Sequence, residues 1–86
     1  MGELISIQGP VEKVDGQLAL LIPLSAGGDQ LIDCSRGVSE VQGEILKIVI
    51  QGWLAGMLRI EEGDLVVVSN RDGKLHIHPV NPRPVQ

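Results

Sequence analysis

The sequence has few of the residues that staple or anchor a small protein. Its 86 residues contain one cysteine, one tryptophan, and no phenylalanine or tyrosine. A single cysteine excludes an internal disulfide, and no apolar run approaches the roughly 18 residues that a membrane helix needs. A chain this short buries only a modest core, and small domains without staples gain stability by associating. We therefore expect a homodimer.

Basic side chains are also scarce. Seven Lys and Arg stand against eleven Asp and Glu, which gives a net charge of −4. Phosphate contacts need clustered cations, so this balance disfavours DNA as a partner without excluding a local basic patch. The chain starts with Met1-Gly2-Glu3 rather than with a basic segment and an apolar run, so we expect no signal peptide. With one unpaired cysteine, the prediction is a cytoplasmic protein with no membrane partner.

The apolar residues that are present favour β-structure. They are mainly Leu, Ile and Val, and they occur in short runs between turn residues, a composition typical of sheet. Asp15-Gly16 suits a tight hairpin turn, and residues 69–73 are predicted as the loop of a second hairpin. Residues 30–34 predict an irregular or short helical segment, and residues 40–44 the end of a strand and a turn. Strands are predicted over residues 4–7, 11–14, 18–22, 45–50, 65–68 and 74–78.

One short helix is predicted over residues 52–58. Trp53, Leu54, Met57 and Leu58 have helical spacing and form one apolar face. Gly52 and Gly56 each weaken this helix by about 1 kcal/mol relative to alanine, so it must pack against something. These four apolar residues are candidates for the dimer interface. For Trp53, a place in the core and a place as an interface anchor both stay open.

Three segments of the chain begin alike, with a glycine followed by an apolar strand. The glycines are Gly16, Gly43 and Gly73. Two interpretations stay open: either strands after turn glycines simply look alike, or the chain contains a decayed internal duplication. Both predict a mainly β domain with barrel-like closure, which would remove exposed strand edges.

The second half of the chain, over residues 45–80, resembles the AbrB-like (SpoVT/AbrB, MazE-like) swapped-hairpin domains. Matching segments run in the same order as in that family, and they are Ile48-Val49-Ile50, Trp53 to Leu58, Leu58-Arg59-Ile60, Glu62-Gly63-Asp64, Leu65-Val66-Val67-Val68, Asp72-Gly73-Lys74-Leu75 and Pro79-Val80. The resemblance implies a barrel built from hairpins, dimeric, and in some members DNA-binding.

Departures from the family concern its DNA-binding elements. Gln51 stands where the family usually has proline, and Gln51-Gly52 offers no cation after the strand. The first 40 residues have no counterpart in the simple family unit. If this chain binds DNA, the candidate contacts are Lys47, Arg59, Arg71 and Lys74.

Groups that could carry chemistry are few, and each has a simpler interpretation. His76 and His78 share one face of a strand, but a metal would need further ligands, such as Cys34, Asp29 or Asp33. Cys34-Ser35 lacks an evident base for nucleophilic catalysis. Gly27-Gly28-Asp29 lacks the Lys-Ser/Thr ending of a phosphate loop, which favours a turn. We expect no catalytic, cofactor or metal site, and no enzyme activity.

The whole chain is therefore predicted to be one small, mainly β, barrel-like domain over residues 1–80, with a flexible proline-rich tail over residues 81–86. Pro79 to Arg83 fits a PxxP docking motif, although such motifs are common by chance. We expect a non-enzymatic, homo-oligomerising interaction module whose protein partner the sequence does not name. The alternative is an AbrB-like transcription regulator or antitoxin. The predicted core is Ile5, Ile7, Leu18, Leu20, Ile22, Ile45, Ile48, Ile50, Trp53, Leu54, Met57, Leu58, Leu65, Val67, Leu75 and Ile77.

Overall fold

The structure is a computed structural model that describes residues 5–81. These residues form seven strands, one α-helix and three short 3-10 turns, which confirms the mainly β class. The strands are β1 (Ile5–Pro10), β2 (Glu12–Val14), β3 (Gln17–Pro23), β4 (Ser39–Gln42), β5 (Ile45–Ile50), β6 (Leu65–Arg71) and β7 (Lys74–Pro79). The helix α1 covers Gly52–Leu58, and the 3-10 turns are Leu24–Ala26, Gly28–Leu31 and Asp33–Ser35.

The strands form two antiparallel sheets. One has the order β1-β6-β7 and the other the order β2-β3-β5-β4. The expected closure into a barrel is wrong for residues 5–81, because these two sheets stay separate. A barrel requires continuous hydrogen bonding around the whole sheet. The edge strands are β1 and β7 in one sheet and β2 and β4 in the other, and no strand pairing among residues 5–81 joins an edge of one sheet to an edge of the other.

Both hairpins were predicted, but the second turn is shorter than the predicted loop over residues 69–73, because β6 continues to Arg71. Asp15 and Gly16 have φ values of 52° and 81°, and Asp72 and Gly73 have 55° and 78°. Positive φ at both central residues is the mark of a type I′ turn, whose twist matches that of the flanking strands. These turns join β2 to β3 and β6 to β7.

The core lies between the two sheets. Strand β5 shows most clearly that alternate residues point into this core. Leu46, Ile48 and Ile50 are buried, while the residues between them face the other side. Burying each such side chain contributes roughly 1.5–3 kcal/mol. The buried apolar residues are Val11, Ala19, Leu20, Ile22, Leu31, Leu46, Ile48, Ile50, Ala55, Ile60, Val66 and Val68.

Part of the predicted core has the wrong phase. Leu65 and Ile45 are 42% and 40% exposed, whereas Val66 and Leu46 are fully buried. A continuous apolar run does not reveal which alternate residues point inward, and a shift of one residue moves every side chain to the other face. Val67, also predicted as core, is only half-buried beside the buried Val68.

The 3-10 turns between β3 and β4 close one side of the core, as the predicted short helical segment suggested. Leu31 is fully buried there. Gly28 packs so tightly that a Cβ atom would lie 2.9 Å from the carbonyl oxygens of both Ile22 and Pro23. This segment therefore needs glycine for close backbone approach rather than for a ligand. Residues 40–44 were predicted only as the end of a strand and a turn. The edge strand β4 lies in this region.

Some predictions lie outside the described residues. These are the start of the first strand at Leu4 and the tail over residues 82–86, which includes Pro82 and Arg83 of the PxxP motif. Across residues 5–81, no helix has the length and apolar character needed to cross a membrane.

Candidate functional site

Helix α1 is held in place by its C-terminal end. Arg59 adopts a left-handed conformation, with φ 57°, and its N–H and that of Ile60 reach the carbonyl oxygens of Gly56 and Ala55. This pair of hydrogen bonds is a Schellman motif. Ala55 and Ile60 are both buried, so the motif fixes which side of the helix faces the core.

The opposite side of α1 carries large apolar side chains into solvent. Trp53 and Met57 are 67% and 66% exposed, so their predicted place in the core is wrong. They are four residues apart and are therefore neighbours on the helix surface. Leu54 and Leu58 lie between these two sides and are half-buried. The four apolar residues do share one side of the helix, as predicted. The helix residue that points into the core, however, is Ala55.

A groove runs beside this exposed surface, between α1 and strand β7. It has a volume of about 440 Å³. We call it the α1–β7 groove, and its lining residues are Val38, Val49, Gln51, Trp53, Leu54, Met57, Leu58, Leu75, His76 and Ile77. The four residues predicted for a dimer interface thus lie together on one surface. Their role as an interface stays a prediction.

Trp53 has a defined polar contact despite its exposure. Its indole Nε1 donates a hydrogen bond of 2.6 Å to Gln51 Oε1. The polar atom of the ring is therefore satisfied within the chain, and the exposed remainder of the ring is apolar. An indole held in this way offers a large contact area at little cost in conformational entropy.

The histidine pair lies as predicted on one face of β7. His76 and His78 are both exposed, and His76 also lines the α1–β7 groove. Within the described part of the chain, no three His, Cys, Asp or Glu side chains are grouped as metal ligands.

The four candidate DNA-contacting cations lie on different elements. Arg71 and Lys74 face each other across the β6–β7 hairpin, and both are exposed. Arg59 is at the end of α1. Lys47 lies in the middle of β5, where its side chain is only 13% exposed and its Nζ is 3.8 Å from Glu40 Oε2. The structure therefore brings two of the four into direct register.

Cys34 and Ser35 have local structural contacts. Cys34 is partly buried, and this burial raises the pKa of its thiol. A raised pKa is the opposite of what an activated nucleophile needs. Ser35 is fully buried, and its hydroxyl donates a 2.6 Å hydrogen bond to the Leu31 carbonyl. A second 2.6 Å hydrogen bond joins this hydroxyl to Ser39 Oγ. The hydrogen bond between Ser35 and Ser39 joins the last 3-10 turn to the start of β4.

Sequence reasoning missed the residues that complete the groove opposite the helix. Leu75 and Ile77 were assigned to the core, and they do pack against it while half-buried, but their place in a groove was not foreseen. Val38 and Val49 were not singled out. The alternation along β7 places Leu75 and Ile77 on one face, but it does not reveal that α1 lies beside them.

Comparison with known proteins adds no relative. No protein-family model, no curated protein and no solved structure matches this chain significantly.

Proposed function

We propose that this protein is a non-enzymatic interaction module that forms a homodimer through the α1–β7 groove. The observation that carries the proposal is the exposure of Trp53 and Met57 at 67% and 66%. Isolated exposed apolar residues are ordinary, but a contiguous apolar surface indicates an interaction site. Tryptophan is moreover enriched among the residues that dominate binding energy.

A second copy of the chain fits this surface because the exposed side chains of Trp53 and Met57 lie directly beside the groove. In a two-fold symmetric dimer, the same patch is used by both subunits and must be complementary to itself. Trp53 and Met57 project from one edge of the groove, while Leu75 and Ile77 line the other. In the proposed dimer, the projecting side chains of each copy enter the groove of the other.

The charge distribution favours self-association at this surface. Each chain carries a net charge of −4, so two copies repel one another over most approaches. None of the ten residues lining the groove is Asp, Glu, Lys or Arg. Contact through the groove avoids placing like charges opposite each other, which would cost affinity.

The size of the surface suits the centre of an interface. Ten residues line the groove, whereas a standard interface uses roughly 20–30 residues on each side. The groove would therefore supply the apolar centre, and its polar surroundings would form the rim. The apolar centre is where the largest losses on truncation are expected.

Sedimentation equilibrium over a wide concentration range tests this proposal. The wild-type protein should have twice the chain mass and dissociate on dilution. A double variant, Trp53→Ser with Met57→Ser, should remain monomeric, because both side chains that fill the partner's groove are lost. Val41→Ser is the matched control, since Val41 is 47% exposed but does not line the groove.

Two results would contradict the proposal. One is a wild-type protein that stays monomeric at every concentration. The other is a double variant that dimerises as well as the wild type, which would place the interface elsewhere.

An AbrB-like DNA-binding regulator or antitoxin is the alternative, and the facing cations Arg71 and Lys74 favour it. Titration with DNA fragments at low salt, repeated as salt rises, distinguishes the two functions. Binding that falls steeply with salt means phosphate contacts and should weaken in Arg71→Gln and Lys74→Gln. Without binding at low salt, the regulator is excluded and the interaction module stands. In either case we place the protein in the cytoplasm, as its lone cysteine suggests.

A further inference from the structure

A second cleft lies on the outer face of the sheet that contains β5. It has a volume of about 650 Å³, within the range of small-molecule sites. The β2–β3 turn, the segment leading into β4, and the junction of β5 with α1 surround it. Its polar lining includes Gln17, Ser39, Glu40, Lys47 and Gln51. We call it the Lys47 cleft.

Lys47 is unusually covered for a lysine on an outward face. It lies between Leu21 of β3 and Glu40 of β4 on the paired strands, and its side chain is only 13% exposed. A charged group that is partly shielded from water is stabilised by a nearby opposite charge. Glu40 Oε2 supplies the charge at 3.8 Å, but this distance is too long for a hydrogen bond.

The side chains around Lys47 and Glu40 can add hydrogen bonds to a bound ligand. The oxygen of the Gln51 amide already accepts a hydrogen bond from Trp53, which leaves its NH₂ group to donate. Gln17 adds a second amide. Glu40 is 63% exposed and accepts a hydrogen bond from Gln42 on one oxygen, so it can still accept another. The cleft thus offers one cation, one anion and amide donors.

We propose that the Lys47 cleft binds a small zwitterion of the α-amino-acid class, with the ligand carboxylate on Lys47 and the ligand ammonium on Glu40. A ligand with both charges matches a site whose own charges cancel. A dianion would meet Glu40, and a plain cation would meet Lys47, so both are disfavoured. The cleft shares Val38, Val49 and Gln51 with the α1–β7 groove, but its two charged residues, Lys47 and Glu40, lie outside that groove.

The test is a titration of the ¹⁵N-labelled full-length protein with each common α-amino acid, followed by amide chemical shifts. At least one amino acid should give saturable shifts confined to residues 16–18, 37–40 and 47–52. Replacing the carboxylate of that amino acid by a carboxamide should weaken binding at least about tenfold, as expected for loss of a charge-assisted hydrogen bond. Lys47→Met should weaken it similarly, whereas Lys74→Met, which alters an exposed lysine, should not.

The result that overturns the proposal is equally specific. It is the absence of saturable shifts in the cleft with every amino acid, or a carboxamide that binds as tightly as its parent. The carboxamide comparison uses the wild-type protein, so it decides the matter even if Lys47→Met does not fold.

Discussion

Two apolar surfaces of this small protein can be compared directly. Between the sheets, Ile48 and Val66 are fully covered by the chain itself. On α1, Trp53 and Met57 stay about two-thirds exposed. The local sequence pattern is apolar in both regions. The difference shows that an apolar pattern identifies a surface that needs covering, while the fold decides whether the chain itself can cover it.

The comparison between covered and exposed apolar residues can be tested within β5, where we expect the largest change in the free energy of unfolding. Ile48→Ala removes a fully buried side chain and should lower the free energy of unfolding by about 2–5 kcal/mol. Ile45→Ala makes the same chemical change in the same strand at a residue that is 40% exposed, and should cost about 1 kcal/mol. Urea unfolding of the two variants measures the difference. Equal losses would mean that the two sides of β5 are not packed differently.

A close backbone contact in the buried region gives the next effect. Gly28→Ala would place a methyl group 2.9 Å from two carbonyl oxygens, and neither is a flexible side chain that could move aside. We expect a loss of about 1–3 kcal/mol in the free energy of unfolding, seen as a lower urea midpoint. An unchanged midpoint would show that the 3-10 segment packs less tightly against β3.

The same substitution should have the opposite sign on α1. A Cβ built at Gly56 meets no atom of the described residues within 4 Å. Gly56→Ala should therefore stabilise the protein by about 0.5–1 kcal/mol, because alanine loses less conformational entropy in a helix. Thermal unfolding at low concentration, where association contributes least, measures this gain. A loss of stability would mean that the open side of α1 is covered even in the single chain.

The smallest effect concerns Cys34 and pH. Burial raises the pKa of its thiol in the folded state, so the folded chain holds this proton more tightly than the unfolded chain does. The resulting stability is complete below the thiol's ordinary pKa and is lost as pH rises through the raised one. The unfolding free energy should decline less steeply at alkaline pH in Cys34→Ala than in the wild type. Parallel profiles would contradict the raised pKa.

Local chemistry explains which features the sequence could predict. The Asp15-Gly16 turn, the β5 strand and the bounds of α1 depend on short-range signals, and the structure confirms them. The grouping of Trp53, Leu54, Met57 and Leu58 on one surface was also visible, because helical spacing brings them together.

Other features depend on tertiary contacts and were beyond the sequence. Leu65 to Val68 is a uniform apolar run, so only packing determines that Val66 and Val68 point inward. The burial of Leu31 depends on its 3-10 turn packing against β3, β5 and β6. The absence of a closed barrel over residues 5–81 depends on the edge strands of the two sheets remaining unpaired with each other. The groove itself needs β7 beside α1, which no local pattern encodes.

The central claim is that a second copy of the chain covers Trp53, and its fluorescence tests this most directly. Trp53 is the only tryptophan, and the chain has no tyrosine, so the emission spectrum reports one ring. We predict blue-shifted emission at high concentration and a shift to the spectrum of a solvent-exposed indole on dilution, at the concentration where the mass halves. Emission typical of an exposed indole while the protein is dimeric would contradict the claim.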